Sequence, residues 1–303
     1  MPTGLLRRTR RALLLGLVLV VTALVVPQAG IRQAPFELVR VRTASAVDRP
    51  PNVLWILCLG SDARPGQAMT STRADAIQLV GINLRTGAAT DIGVPRDSYV
   101  EIPGHGRNKI NASMAYGGPQ LMARSVANLV GIRPDYVFAA GFGGFRNLVR
   151  AIGGVTVYSR YSFTDPVRPQ GYHHGWNRLT PFQAEIFARI RHALPRGDFD
   201  RSADQQALMK GILREVRRKQ DQPGFMERGV LAVIRNLNTD LSPKQLYTLA
   251  QAATRIQPRK YRGCVINGST GYVGAMSVVY PDRAEAHSIA RRVRRDATLE
   301  GRC

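Results

Sequence analysis

At 303 residues the chain can hold one large or two small domains, and 44% hydrophobic with 21% charged residues is ordinary for a globular protein with a packed core. The charge is not ordinary: Lys+Arg is 43 against 21 Asp+Glu, giving +22, and only five of the basic residues are lysine. That balance calls for an anionic partner such as nucleic acid, anionic lipid or a phosphorylated substrate, although GC-rich coding also enriches arginine.

The N-terminus narrows the choice. Arg7, Arg8, Arg10 and Arg11 precede an apolar run, Ala12 to Val26, broken only by Gly16 and Thr22. Extended to Ile31 it reaches the roughly 20 residues that a bilayer crossing needs. We read residues 1–11 as a cytoplasmic basic tail, 12–31 as an uncleaved transmembrane anchor, 32–50 as a linker and 51–303 as an extracytoplasmic domain. The Ala44-Ser45-Ala46 triplet resembles a cleavage site but lies too far from the apolar run. Export argues against nucleic acid as the partner. Cys58 sits in an apolar run and reads as a buried thiol, which leaves Cys264 and Cys303 as a candidate disulfide.

The folded part opens with the apolar run Val53 to Leu59, expected as a strand buried on both faces. Further strands are expected over Ala76–Asn83, Thr90–Val94, Asp135–Ala140 and Val155–Tyr158. Helices are expected over Pro119–Val130, Phe145–Ile152 and from the capping box Thr180-Pro-Phe-Gln183 onward. A long helix should cover about 203–219, with others near 224–236 and 243–256. Short strands near 263–267 and 276–280 and a basic helix over about 282–297 complete the chain. The alternation predicts an α/β layered αβα sandwich around a central mixed sheet.

No phosphate-binding glycine loop or nucleophile elbow is present; Gly141-Phe-Gly-Gly144 lacks the third glycine of a dinucleotide fingerprint. His173-His174 reads as surface loop. What stands out are Arg and Asp residues at element ends, where α/β sheets build ligand sites. Asp62 lies just past the first strand, Arg73 and Asp75 lead into the second, and Arg96-Asp97 follow the third. Asp62 and Asp75 suit a hard cation, Mg²⁺ or Mn²⁺, that shares its ligands with phosphate. Any one of these aspartates could equally cap a turn or pair with an arginine. Downstream, Arg189 and Arg191 share a face if extended, and Arg201 and Gln205 share a helix face. Guanidinium matches phosphate in a bidentate geometry.

Taken in order, Leu59-Gly-Ser-Asp62, Arg73-Ala-Asp75, Val94-Pro-Arg-Asp97, Lys109-Ile-Asn111, Gly117-Gly118, Ile152-Gly-Gly-Val155, Arg189-Ile-Arg191 and Asp198-Phe-Asp-Arg201 with Gln205 resemble the LytR–CpsA–Psr family. The resemblance runs from about Asn52 to Gly211. It implies a Mg-dependent phosphotransferase that moves a cell-wall glycopolymer from a polyprenyl-pyrophosphate carrier onto peptidoglycan at the membrane. It would place metal on Asp62 and Asp75, and pyrophosphate on Arg73, Arg96, Arg189, Arg191, Arg201 and Gln205. Arg73, Asp75, Arg96 and Asp97 would form the catalytic set, with Asp97 as base or orienting group. The alternatives are a polyprenyl-pyrophosphate hydrolase and a non-catalytic lipid-pyrophosphate binder or regulator. The chain departs from the family pattern in having Arg150 for Asp, Phe187 for Tyr, Asp200 for Gly and Asp204 for Arg. Asp200 is a candidate cap for the long helix, and Asp204 removes a positive charge near the site.

Overall fold

The computed structural model describes residues 34–42, 52–64, 67–166, 168–225, 233, 237–301 and 303. The expected anchor over 12–31 lies outside them, as does most of the helix expected over 224–236.

The described chain begins with strand β1 (Phe36–Arg40), followed by β2 (Val53–Ser61), β3 (Ala74–Asn83), β4 (Ala89–Gly93) and a hairpin of β5 (Tyr99–Ile102) and β6 (Gly106–Lys109). Helix α1 (Ala112–Val130) leads to β7 (Tyr136–Gly141) and helix α2 (Phe142–Ala151). Then come β8 (Val155–Ser159), β9 (Phe163–Asp165), β10 (Arg168–Tyr172), β11 (Gly175–Leu179), α3 (Pro181–Arg189) and α4 (Asp198–Lys219). The remainder is β12 (Leu237–Thr239), α5 (Pro243–Arg255), β13 (Tyr261–Val265), β14 (Gly268–Val273), β15 (Met276–Pro281) and α6 (Arg283–Val293).

Seven strands form the central mixed sheet in the order β12-β1-β7-β2-β3-β4-β13. The pairs β1/β12, β2/β7 and β4/β13 are parallel and the others antiparallel. One face packs Leu57, Leu79 and Ile92 against Met122, Val126 and Leu129 of α1 and Ile289 and Val293 of α6. The other packs Leu54, Val80 and Tyr261 against Leu249 and Ala252 of α5, with Met209 and Leu213 of α4 alongside. Both faces are covered, so β2 reads as the continuous apolar run seen in the sequence.

Two expectations are corrected. Phe36–Arg40, assigned to the linker, is strand β1, paired in register with β7 from Phe36↔Ala140 to Arg40↔Tyr136. Its burial alternates, with Phe36 and Leu38 inward, a two-residue period too short to stand out against the Pro- and Arg-rich flanks. Helix α1 also starts earlier than Pro119: one helical turn from Ala112 precedes a kink at Gly117 and Gly118, and Pro119 begins the second segment, where its missing N–H costs nothing. The capping boxes at Thr180 (α3) and Ser242 (α5) each have both reciprocal hydrogen bonds.

Helix α4 approaches the sheet unusually closely through amide side chains. Gln206 Nε2 donates to Gln78 Oε1 (3.2 Å) and to the carbonyls of Asp91 (3.1 Å) and Cys264 (3.1 Å), and Gln78 Nε2 donates to Ser202 and Gln205. Glycines make room for this: a Cβ on Gly93 would lie 2.4 Å from Ser202 Oγ, and one on Gly263 would lie 2.3 Å from Gln206 Oε1. Cys264 and Cys303 are joined with Cα atoms 5.7 Å apart, and Cys58 is free.

Gly93→Ala should therefore push α4 off its amide network and cost about 1–3 kcal/mol, the usual penalty for overpacking. Thermal denaturation of the variant should show a lower Tm; an unchanged Tm would mean that α4 is not held at that distance by Gly93.

Candidate functional site

The site lies at one end of the sheet because of strand direction. Parallel β2 and β7 end together, with Ser61 beside Gly141, and antiparallel β3 begins where β2 ends. Strand β4 ends at Gly93 beside Gln78, near the start of β3, so Arg96 emerges beside Asp75. At that end the β2/β3 register slips: Gly60 pairs with Ala76 but Ser61 with Ala74, leaving Asp75 as the extra residue of a bulge. Bulges re-aim side chains at sheet edges. The Asp75 carboxylate accepts from Arg96 Nη1.

From this pair a network of opposite charges spreads. Asp97 is met by Lys109 Nζ at 3.1 Å, Arg191 Nη1 at 3.5 Å and Arg96 Nε at 3.9 Å. Asp198, in the first turn of α4, accepts the Arg96 backbone N–H at 3.0 Å and pairs with the guanidinium of Arg201. Burial would lower the Arg96 guanidinium, but facing Asp75 and Asp97 outweigh it and hold it above its ordinary value. Burial raises Asp198 despite Arg201, and burial lowers Arg201, which also feels the like charges of Arg96 and Arg191. Four cations (Arg96, Lys109, Arg191, Arg201) thus face three carboxylates (Asp75, Asp97, Asp198). The Arg96 Nε is buried without a hydrogen-bond acceptor among the described residues.

Of the residues singled out in the sequence, Asp75, Arg96, Asp97, Arg191 and Arg201 converge. Asp62 stands at the end of β2, its N–H donating to the Arg73 carbonyl at 3.3 Å. Arg73 is exposed, and among the described residues no hydrogen bond or ion pair engages its side chain or that of Asp62. Arg189 does not join Arg191. It ends α3 rather than lying on an extended chain, bonds Glu185 at 2.9 Å and stacks over Phe142 at 4.4 Å. Gln205 is committed to the fold, accepting from Gln78 and donating to the Ala188 carbonyl at 3.0 Å. Asp200 does not occupy the capping position of α4, which is Gly197; it lies buried in the first turn and accepts from the Arg196 backbone at 2.9 Å. Two contributors were given no role from sequence, Asp198 and Lys109. The i,i+3 spacing of Asp198 to Arg201 was a usable signal for the first; Lys109 reaches Asp97 only through the β5–β6 hairpin.

The donors available to a divalent cation are the carboxylates of Asp62 and Asp75, on neighbouring strand ends; among the described residues no group of three or more His, Cys, Asp or Glu gathers. Two carboxylates suffice for a hard cation that completes its shell with phosphate oxygens and water.

Asp198→Ala should strand the buried Arg201 guanidinium and cost about 3–5 kcal/mol in denaturant titration; a loss well under that would mean that Arg201 finds another partner. Asp204, one turn beyond Asp200, is pushed up to about 7 by burial and then by the Asp200 carboxylate, with Arg160 opposing. Its Oδ2 has no partner. The folded state holds a proton there that the unfolded chain releases near pH 4, so this group makes stability fall as pH rises from about 4 to about 7. Asp204→Asn should remove that slope, gaining at most about 4 kcal/mol relative to wild type at pH 8. Parallel unfolding curves for the two proteins at pH 5 and pH 8 would show it.

The LytR_cpsA_psr family model matches residues 29–295. The polyisoprenyl-teichoic acid–peptidoglycan teichoic acid transferase TagU of Bacillus cereus is 31% identical over 216 residues, covering 70% of this chain and 66% of that protein. The chain thus aligns with just under two thirds of the length of that relative. The crystal structure of B. subtilis TagV superposes with a TM-score of 0.68 at 23% identity, over 81% of this chain and 97% of that one. TagT bound to LIIa-WTA superposes with a TM-score of 0.65 at 25% identity, over 81% and 91%. With the matched residues spanning the whole sheet and every member of the charged cluster, the chain belongs to the LytR_cpsA_psr family.

Proposed function

We propose that the protein is a phosphotransferase that moves a glycopolymer from a polyprenyl-pyrophosphate carrier onto peptidoglycan. The observation that carries this reading is the partly buried Arg96 side chain, whose buried Nε finds no hydrogen-bond acceptor among the described residues, beside Arg191 and Arg201. An unmade buried hydrogen bond costs about 1–3 kcal/mol, and a phosphate oxygen would repay it. Family membership, the name of the TagU relative and the ligand held by TagT point to the same chemistry.

In this reading Arg96, Arg191 and Arg201 clamp the pyrophosphate and stabilise charge that develops on the transferred phosphoryl group. Arg73, exposed beside Asp62, closes over it from the solvent side. Asp97, already fixed by Lys109 and Arg191, orients the clamp or accepts the proton of the attacking hydroxyl. The acceptor oxygen forms a bond to the sugar-linked phosphorus, and polyprenyl phosphate leaves with the electron pair of the broken P–O bond. Asp62 and Asp75 would hold Mg²⁺ or Mn²⁺, which when bound neutralises phosphate charge. The lipid lies along the sheet face beneath α4 and α5, where Ile56, Phe138, Met209 and Leu213 are only partly buried.

The same reading places the domain outside the cytoplasm behind a single-pass anchor over residues 12–31, with the Cys264–Cys303 bond kept oxidised there. A periplasmic-type reporter fused after Cys303 should be active, and unreduced protein should show only Cys58 alkylated after unfolding. Reporter activity confined to the cytoplasm would refute the topology.

Arg96→Ala and Asp75→Ala should each lower transfer of radiolabelled glycopolymer to peptidoglycan by about 10²-fold or more while the protein stays folded. Chelator should abolish transfer and Mg²⁺ restore it. Release of free phosphorylated polymer in place of transfer would make the protein a hydrolase. A wild-type rate in Asp75→Ala would remove the site.

A further inference from the structure

A cleft of about 430 Å³ lies away from the Arg96 cluster, between α2 and α3. Helix α2 starts at Phe142, directly after Gly141, which pairs with Ser61 next to Asp62. The two helices pack along a seam that runs outward from there. Arg189 covers Phe142, Arg146 Nε reaches Glu185 Oε2 at 3.4 Å, and Arg150, Thr180 and Phe182 line the far end. Residues 142 to 150 cover about 12 Å of helix.

The seam is chemically asymmetric. Two of its three guanidinium groups share one carboxylate, because Glu185 bonds Arg189 and lies within ion-pair distance of Arg146. Among the described residues Arg150 is partnered by the neutral Asn147 Oδ1 alone, at 2.5 Å. Phe182 is 48% exposed at the cleft, a large ring turned to solvent beside Arg146, Asn147, Arg150 and Thr180. A concave surface with surplus arginine and one exposed aromatic fits a ligand that alternates anionic groups with sugar rings. A flat anionic surface would leave the cleft unfilled.

We infer that the cleft between α2 and α3 is the docking groove for the phosphate-bearing glycopolymer itself, entered from the pyrophosphate at the sheet end. Arg150 and Arg146 take polymer phosphates and Phe182 stacks on a sugar ring. This rests on the transferase reading and adds to it the polymer's path and its chemical class. Arg189 becomes the junction between the two sites, which accounts for its separation from Arg191.

The test uses the full-length protein in nanodiscs and three probes: a lipid-free, sugar-bearing poly(glycerol phosphate), the same sugar chain without phosphate, and inorganic pyrophosphate. Wild type should bind the charged polymer about tenfold or more tightly than the neutral one, with a strong salt dependence. Arg150→Glu should weaken polymer binding about tenfold and reduce the salt slope, Phe182→Ala should weaken it severalfold, and Arg150→Lys should restore part of the loss. Pyrophosphate binding should be unchanged in all three variants. Unchanged polymer affinity in Arg150→Glu and Phe182→Ala overturns the groove. So does equal affinity of wild type for the neutral chain, or a defect of Arg150→Glu confined to phosphatidylglycerol vesicles. The transferase reading fails separately, if wild type binds no pyrophosphate and Arg96→Ala transfers polymer normally.

Discussion

A guanidinium cannot shed its charge, and the pair formed by Arg201 and Asp198 at the start of α4 is almost wholly buried, with side chains 6% and 10% exposed. Everything at the sheet end is arranged around that constraint. Asp198 must serve two masters, the Arg201 guanidinium and the Arg96 backbone N–H, so the first turn of α4 is tied to the loop that follows β4. That tie aims the Arg96 side chain back across the sheet end at Asp75, which only a bulge in β3 could bring to meet it. The amide network of Gln78, Ser202, Gln205 and Gln206 then sets the height of α4 above the sheet. It has little freedom to vary, because the glycines opposite leave no room for a side chain.

The cost of this arrangement is local. Packing like charges together is tolerable only while carboxylates stand between them, and the structure places one between each pair of neighbours: Asp97 between Lys109 and Arg191, Asp198 between Arg96 and Arg201. Asp204 sits on the expensive side of the same account. It is buried one turn along α4 from Asp200, another buried acid whose partner is Arg196, and it has an unpartnered oxygen. The proton it retains up to about pH 7 avoids an uncompensated buried charge beside Asp200.

Local chemistry made the regular elements legible. Thr180 with Gln183, and Pro119 after two glycines, specify helix starts through their own hydrogen bonds and dihedrals, and the apolar run of β2 follows from burial on both faces. What resisted reading was set by partners distant in sequence. Strand β1 has five residues and gains its place only from β7 and β12, a hundred and two hundred residues away. Arg189 and Arg191 look like a pair on paper, yet the last turn of α3 falls between them and sends one to Glu185 and the other to Asp97. Gln205 was recognisable as important but not for what it does here, since only the packed helix reveals that both ends of its amide are already taken. The meeting of Asp75, Arg96 and Asp97 was readable because neighbouring strand ends of one α/β sheet lie together, whereas Arg191, after α3, and Arg201, in α4, were tied to them only by the family resemblance.

Because the arginines are already paired, a pyrophosphate bound as we propose would exchange for carboxylates and would not enter a bare positive pocket. Each such exchange would trade one charge-assisted hydrogen bond for another, so binding would gain little from the pairs themselves and more from a donor left unused, Arg96 Nε, once its surroundings open to the ligand. Selectivity follows from the same arithmetic. In the proposed reading a monoanion would replace one carboxylate, whereas a diphosphate would satisfy the guanidinium groups of Arg96 and Arg201 together. Lysine in place of Arg96 would keep the charge but lose the fork that holds Asp75 with one donor while offering another to the ligand. On the proposed reading the site would discriminate by the geometry of its donors more than by its net charge.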